Sequence, residues 1–188
     1  MIVCVLVFLC LSVTFAVENK GNKTMVSGVG FDNVIVIGSE KLVLNGAGLL
    51  RYMVVMRGYV AALYLGEGHF GDELFDDIPK CLQLDYFHNI PAKGFIKATQ
   101  YGLEANLSIG ELERLRPQID RLYACYKDIK KRDRYCFIYT PATGPELVLN
   151  GETLCRFDDL EFANAVLSIW LGRNPLDENL KLHLLGEK

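Results

Sequence analysis

Residues 42–66 read LVLNGAGLLRYMVVMRGYVAALYLG. Val, Tyr and Leu dominate, and the tract from Leu49 to Leu65 is interrupted only by Arg51, Arg57 and Gly58. β-branched and aromatic residues of this density favour a pleated, buried surface. The tract predicts two long strands, with a turn or bulge near Arg57-Gly58. Just upstream, Val34-Ile35-Val36-Ile37 ends at Gly38-Ser39, and Leu42-Val43-Leu44 ends at the turn dipeptide Asn45-Gly46. These two runs predict a hairpin. Arg51 stands out, because a guanidinium among apolar neighbours is costly unless an anion meets it.

Outward from this core the pattern changes. Residues 66–80 predict a loop or short helix, and Leu82, Leu84 and Tyr86 alternate as one face of a strand. Ala92 to Leu107 is helical in composition, though Gly94 and Gly102 weaken it. Ser108 with Glu111 forms a capping box, and Leu112, Leu115, Ile119 and Leu122 give the next helix its apolar stripe. Tyr135–Thr140 and Leu147–Leu149 predict strands, the second closed by Asn150-Gly151. Asp158 and Asp159 cap a helix carrying Phe162, Val166, Ile169 and Trp170, which Gly172 and Pro175 end; Leu176, Leu180 and Leu184 line a last helix. Strands, helices, strands, helices in that order predict an α+β domain rather than a doubly wound sheet.

The 188 residues suit one domain. With 51% hydrophobic and 23% charged residues the chain reads as globular, and a net charge of −3 gives no general attraction to nucleic acid. Met1–Val17 carries no charged side chain, is short for a membrane span, and predicts a signal peptide cleaved near Ala16. The expected organisation is a signal peptide over 1–16, a polar lead-in over 17–27, and the domain over 28–186. The mature protein would be secreted or periplasmic, with no stable membrane span. Cys81, Cys125, Cys136 and Cys155 would remain, allowing three full pairings or free thiols. His69, His88 and His183 have no metal-ligand spacing, so no metal site is expected. Neither GxSxG, a P-loop nor a dinucleotide fingerprint occurs, so no cofactor is expected. The run KDIKKRDR over 127–134 reads as a solvated loop. Asn22-Lys23-Thr24 and Asn106-Leu107-Ser108 match glycosylation sequons.

Four segments together carry a resemblance. They are residues 42–66, the GLEANLS helix, the hairpin FIYTPATGPELVLNGE, and FANAVLSIWLGRNPLDENLKLHLLG at the end. In this order they resemble the chalcone isomerase-like family over roughly 28–186, and most resemble its exported, mainly bacterial branch. The resemblance implies an open-faced β-sandwich: a large antiparallel sheet with helices on one face and a ligand cleft between.

It also implies site residues. In chalcone isomerases an arginine on the first long strand matches Arg51, and a helical asparagine matches Asn106. Tyr59, Thr99 and Ile169 stand where the strand threonine, the helix tyrosine and the last threonine would be, which counts against flavonoid cyclisation. A second branch of the family binds fatty acids, pairing the arginine with a tyrosine that matches Tyr59. A planar guanidinium and a phenol suit a carboxylate. The expected ligand-binding set is therefore Arg51, Tyr59, Asn106 and Thr99, for a small amphipathic carboxylate such as a fatty acid and without catalysis. An isomerase or intramolecular lyase acting on an enone or phenolic substrate is the alternative, and an accessory module with a vestigial cleft is a third. Each of the four also has a structural alternative: Arg51 paired to Asp85, Tyr59 packed in the core, Asn106 bonded to backbone, Thr99 structural; Trp170 reads as core.

Overall fold

A computed structural model describes residues 23–52 and 56–187. The expected leader and Asn22 lie outside the described residues. Seven strands form one antiparallel sheet in sequence order: β3 (Val34–Ile37), β4 (Glu40–Tyr52), β5 (Met56–Gly66), β6 (Lys80–Tyr86), β7 (Arg134–Thr140), β8 (Gly144–Leu149) and β9 (Glu152–Arg156). A separate hairpin, β1 (Lys23–Val26) with β2 (Val29–Asp32), precedes them. Four helices follow the middle and last strands: α1 (Ala92–Asn106), α2 (Ile109–Cys125), α3 (Leu160–Leu171) and α4 (Glu178–Leu184). The α+β class and the helix-covered sheet agree with the sequence reading.

The sheet divides the apolar residues by strand parity. Ala61, Leu63, Leu65, Leu82, Leu84 and Phe137 face the helices, in one core with Leu122, Phe162 and Val166. Leu42, Val60, Ala62, Tyr64 and Cys81 face the other way, against Phe31 of the β1–β2 hairpin. Strands buried on both faces read as continuous apolar runs, which is why residues 59–65 show no polar alternation.

Four local readings change. Asn45-Gly46 is not a turn: β4 runs straight through it with a register shift between Leu44 and Gly46. The Asn45 amide donates to Leu184 O at 2.8 Å, and a Cβ on Gly46 would collide with the α4 backbone at His183 O. The dipeptide therefore serves the docking of α4. The reversal between β4 and β5 comes before Arg57-Gly58, and Arg57 and Gly58 already belong to β5. Lys23–Val26, read as polar lead-in, forms β1. Asn150 and Gly151, both left-handed at φ 51° and 89°, close a hairpin whose second strand, β9, the sequence reading lacks.

The helix starts follow their caps. Ser108 N donates to Glu111 Oε2 at 2.8 Å at the head of α2, and Asp159 Oδ1 accepts from Phe162 N at 2.7 Å at the head of α3. Cys125 and Cys155 form a disulfide joining the end of α2 to β9, while Cys81 and Cys136 are free. Lys80 is wholly buried, and burial pulls its pKa down to about 8. Its ammonium donates to Leu74 O at 2.6 Å, Asp76 O at 2.7 Å and Asn164 Oδ1 at 3.3 Å. Three donors meet three acceptors, which fastens the β5–β6 connection to α3. Among the described residues no helix is long and apolar enough to cross a membrane.

Candidate functional site

Between the sheet and the helices lies a cavity of about 170 Å³. The sheet supplies Tyr59, Leu84, Tyr86, Tyr135, Phe137 and Leu147; α1 supplies Phe95, Ala98 and Thr99; α3 supplies Val166, Ile169 and Trp170; Leu122 and Tyr126 come from α2 and its end. Val166, Ile169 and Trp170 share a helix face by their spacing of three and four. The size is on the order of the ~150 Å³ engineered apolar cavities that stay dry and admit benzene. Rings pack edge to face around it: Tyr86–Phe95 at 5.4 Å and Phe95–Tyr135 at 5.2 Å between centroids.

Two polar pairs interrupt the apolar lining. Trp170 Nε1 donates to Tyr59 Oη at 2.7 Å, which leaves the Tyr59 proton without a protein acceptor among the described residues. Thr99 Oγ1 and Tyr126 Oη share a hydrogen bond of 2.7 Å, so one of their two protons also has no acceptor among the described residues. Burial drives the pKa values of Tyr59, Tyr86 and Tyr126 far above the usual phenol range. For Tyr59 the bond from Trp170 opposes that rise and the Asp177 carboxylate adds to it. These phenols are neutral donors at physiological pH, and among the described residues the lining contains no ionised side chain.

The four sequence-predicted residues divide. Tyr59 and Thr99 line the cavity. Arg51 does not: it is exposed, in a groove with Val26, Ala47, Leu49, Asp177 and His183. Leu50 pairs with Tyr59, and the register then shifts so that Arg51 pairs with Arg57, whose guanidinium lies over Phe87 on the hairpin side of the sheet. A one-residue irregularity re-aims the side chains beyond it. Asp85, the structural partner considered for Arg51, is bonded instead to Arg134 at 2.5 Å. Asn106 also lies outside the cavity. Its amide donates to Gly102 O and Asn174 O, each at 2.9 Å, and accepts from Asn174 N at 2.9 Å.

Two cavity residues escaped the sequence reading. Trp170 reads as core in the sequence, and its indole N–H, which donates to Tyr59, is invisible in a helical stripe. Tyr126 follows a helix end and bears no pattern; only the return of the chain beneath α1 brings it to Thr99. Among the described residues no group of His, Cys, Asp or Glu could hold a metal ion.

No curated protein sequence matches the chain significantly. Among solved structures it is similar to an Arabidopsis thaliana fatty-acid binding protein, at 14% identity and a TM-score of 0.67, over 87% of this chain and 96% of that one. At that identity the likeness concerns the fold. The profile of the chalcone isomerase-like family matches residues 23–186, starting at β1 and ending just past α4, so it spans the sheet, the helices and the cavity between them. By that match this chain belongs to the chalcone isomerase-like family.

Proposed function

We propose that this protein binds a small amphipathic carboxylate, such as a fatty acid, without transforming it. The observation that carries the reading is the cavity's chemistry: an aromatic and aliphatic lining, two neutral donor sites and, among the described residues, no ionised side chain. Such a lining rewards burial of hydrocarbon at about 0.8 kcal/mol per CH₂. It offers no general base at neutral pH, because the phenols are held protonated. The free proton of Tyr59 would meet the acid group, and the Thr99–Tyr126 pair would take a second polar atom. The Arabidopsis structure with the same fold is a fatty-acid binding protein, which supports this choice of ligand. The apolar leader and the Cys125–Cys155 disulfide support export to an oxidising compartment, secreted or periplasmic.

Trp170 is the only tryptophan and lines the cavity, so its fluorescence reports occupancy. Titration with saturated fatty acids of increasing length should give saturable changes. Affinity should rise roughly fourfold per CH₂ until the cavity is full. No fluorescence response, together with no lipid in native mass spectra of the purified protein, would refute the reading. Chalcone turnover lost on Tyr59→Phe would favour an isomerase instead.

A further inference from the structure

On the opposite side of the sheet from the cavity, a groove of about 490 Å³ opens between the β1–β2 turn and the start of β7. Four cations line it: Arg57, Lys131, Arg132 and Arg134. The one carboxylate in its wall, Asp85, is already bonded to Arg134 at 2.5 Å. Among the described residues Arg57, Lys131 and Arg132 make no ion pair, on a chain whose net charge is −3.

The sequence alone makes KDIKKRDR a solvated loop, but the fold builds it into a wall. Lys131 N donates to Asn89 Oδ1 at 2.9 Å, and Arg132 N to Tyr86 O at 2.8 Å. Asp133 is turned away, accepting from Lys130 N and Asn150 Nδ2. Arg132 is held at φ 77°, a left-handed conformation that a non-glycine residue adopts at a cost. Arg57 stands over Phe87 at 5.3 Å, and Arg134 over Phe31 at 5.2 Å. Two distant segments thus bring four cations to one pocket, with Arg57 and Arg134 ordered over aromatic rings and only Arg134 matched by a carboxylate among the described residues. Guanidinium forks with a lysine are the donor set for phosphate oxygens.

We propose that this groove is a second site, independent of the cavity, that binds a phosphate-bearing anion. Inorganic pyrophosphate and phosphatidylcholine vesicles doped with phosphatidic acid test the two sources of that chemistry. Pyrophosphate should shift the amide resonances of residues 27–30 and 131–134 in NMR spectra of the intact domain. Arg57→Gln combined with Lys131→Gln should weaken binding about tenfold or more, with unchanged thermal unfolding. Lys97→Gln, on exposed α1, should leave it intact. Pyrophosphate binding would identify a free phosphate ligand. Recruitment to doped vesicles alone, lost in the double variant, would identify a lipid headgroup. The site is overturned if neither probe binds, or if Lys97→Gln weakens binding as much as the double variant does.

Discussion

Tyr59 and Arg51 show how much one residue of register decides. They are separated by a single cross-strand step, yet Tyr59 enters the cavity and Arg51 faces a solvent groove. Tyr59→Phe removes the acceptor of a part-buried indole N–H. It should cost about 1–3 kcal/mol in chemical denaturation, and it should weaken fatty-acid binding in the Trp170 titration. Arg51→Ala, at an exposed site, should change stability by no more than about 0.5 kcal/mol. If Arg51→Ala weakens ligand binding more than Tyr59→Phe, the acid group is held on the hairpin side of the sheet, and the assignment to Tyr59 fails. Asn106 reads in the sequence as a ligand residue or a sequon, and its amide bonds α1 to the segment after α3. Asn106→Ala should therefore destabilise the domain by about 1–2 kcal/mol with ligand affinity retained, which parallel melts and titrations would check.

Between elements, the tightest contact in the helical layer is α1 on α3. A Cβ at Gly102 would approach Ile169 Cγ2 to 2.6 Å, so glycine here permits the two helices to touch. The same glycine weakens α1 as a sequence signal, and only packing explains its place. Gly102→Val should lower stability by about 1–3 kcal/mol through overpacking. Because Ile169 lines the cavity, it should also reduce fatty-acid affinity by pushing that side chain inward. A urea titration and the fluorescence titration test the two effects separately. A variant that loses stability but binds normally would show that the helices separate without closing the cavity.

Over the whole molecule, buried phenols set the alkaline limit of stability. Burial raises the pKa values of Tyr59, Tyr64, Tyr86 and Tyr126, and that of Tyr139 to about 12. A folded-state pKa above the unfolded value of about 10 means that the native state keeps protons the unfolded chain has released. The stability from these tyrosines is complete below about pH 10 and lost as pH rises beyond it. Thermal unfolding temperatures should fall steeply above pH 10, and tyrosinate absorbance should rise cooperatively with loss of structure. A smooth, independent titration of all tyrosines in the folded protein would contradict the burial on which the cavity rests.

From the sequence alone come the α+β class, the family, most strand and helix positions, the capped starts of α2 and α3, and the apolar character of residues 49–65. These depend on period, composition and caps, which act over a few residues and leave their mark locally. The tertiary structure alone decided which face each side chain of β4 presents, that Asn45-Gly46 receives α4 rather than turning, that Trp170 orients Tyr59, and that Cys125 meets Cys155. It also turned a dilute basic run into one wall of a cationic groove. The physical reason is common to all of these. Each depends on register shifts and on contacts between residues far apart in the chain, and a change of one residue in register exchanges the two faces of a sheet without changing the apolar pattern that the strand displays.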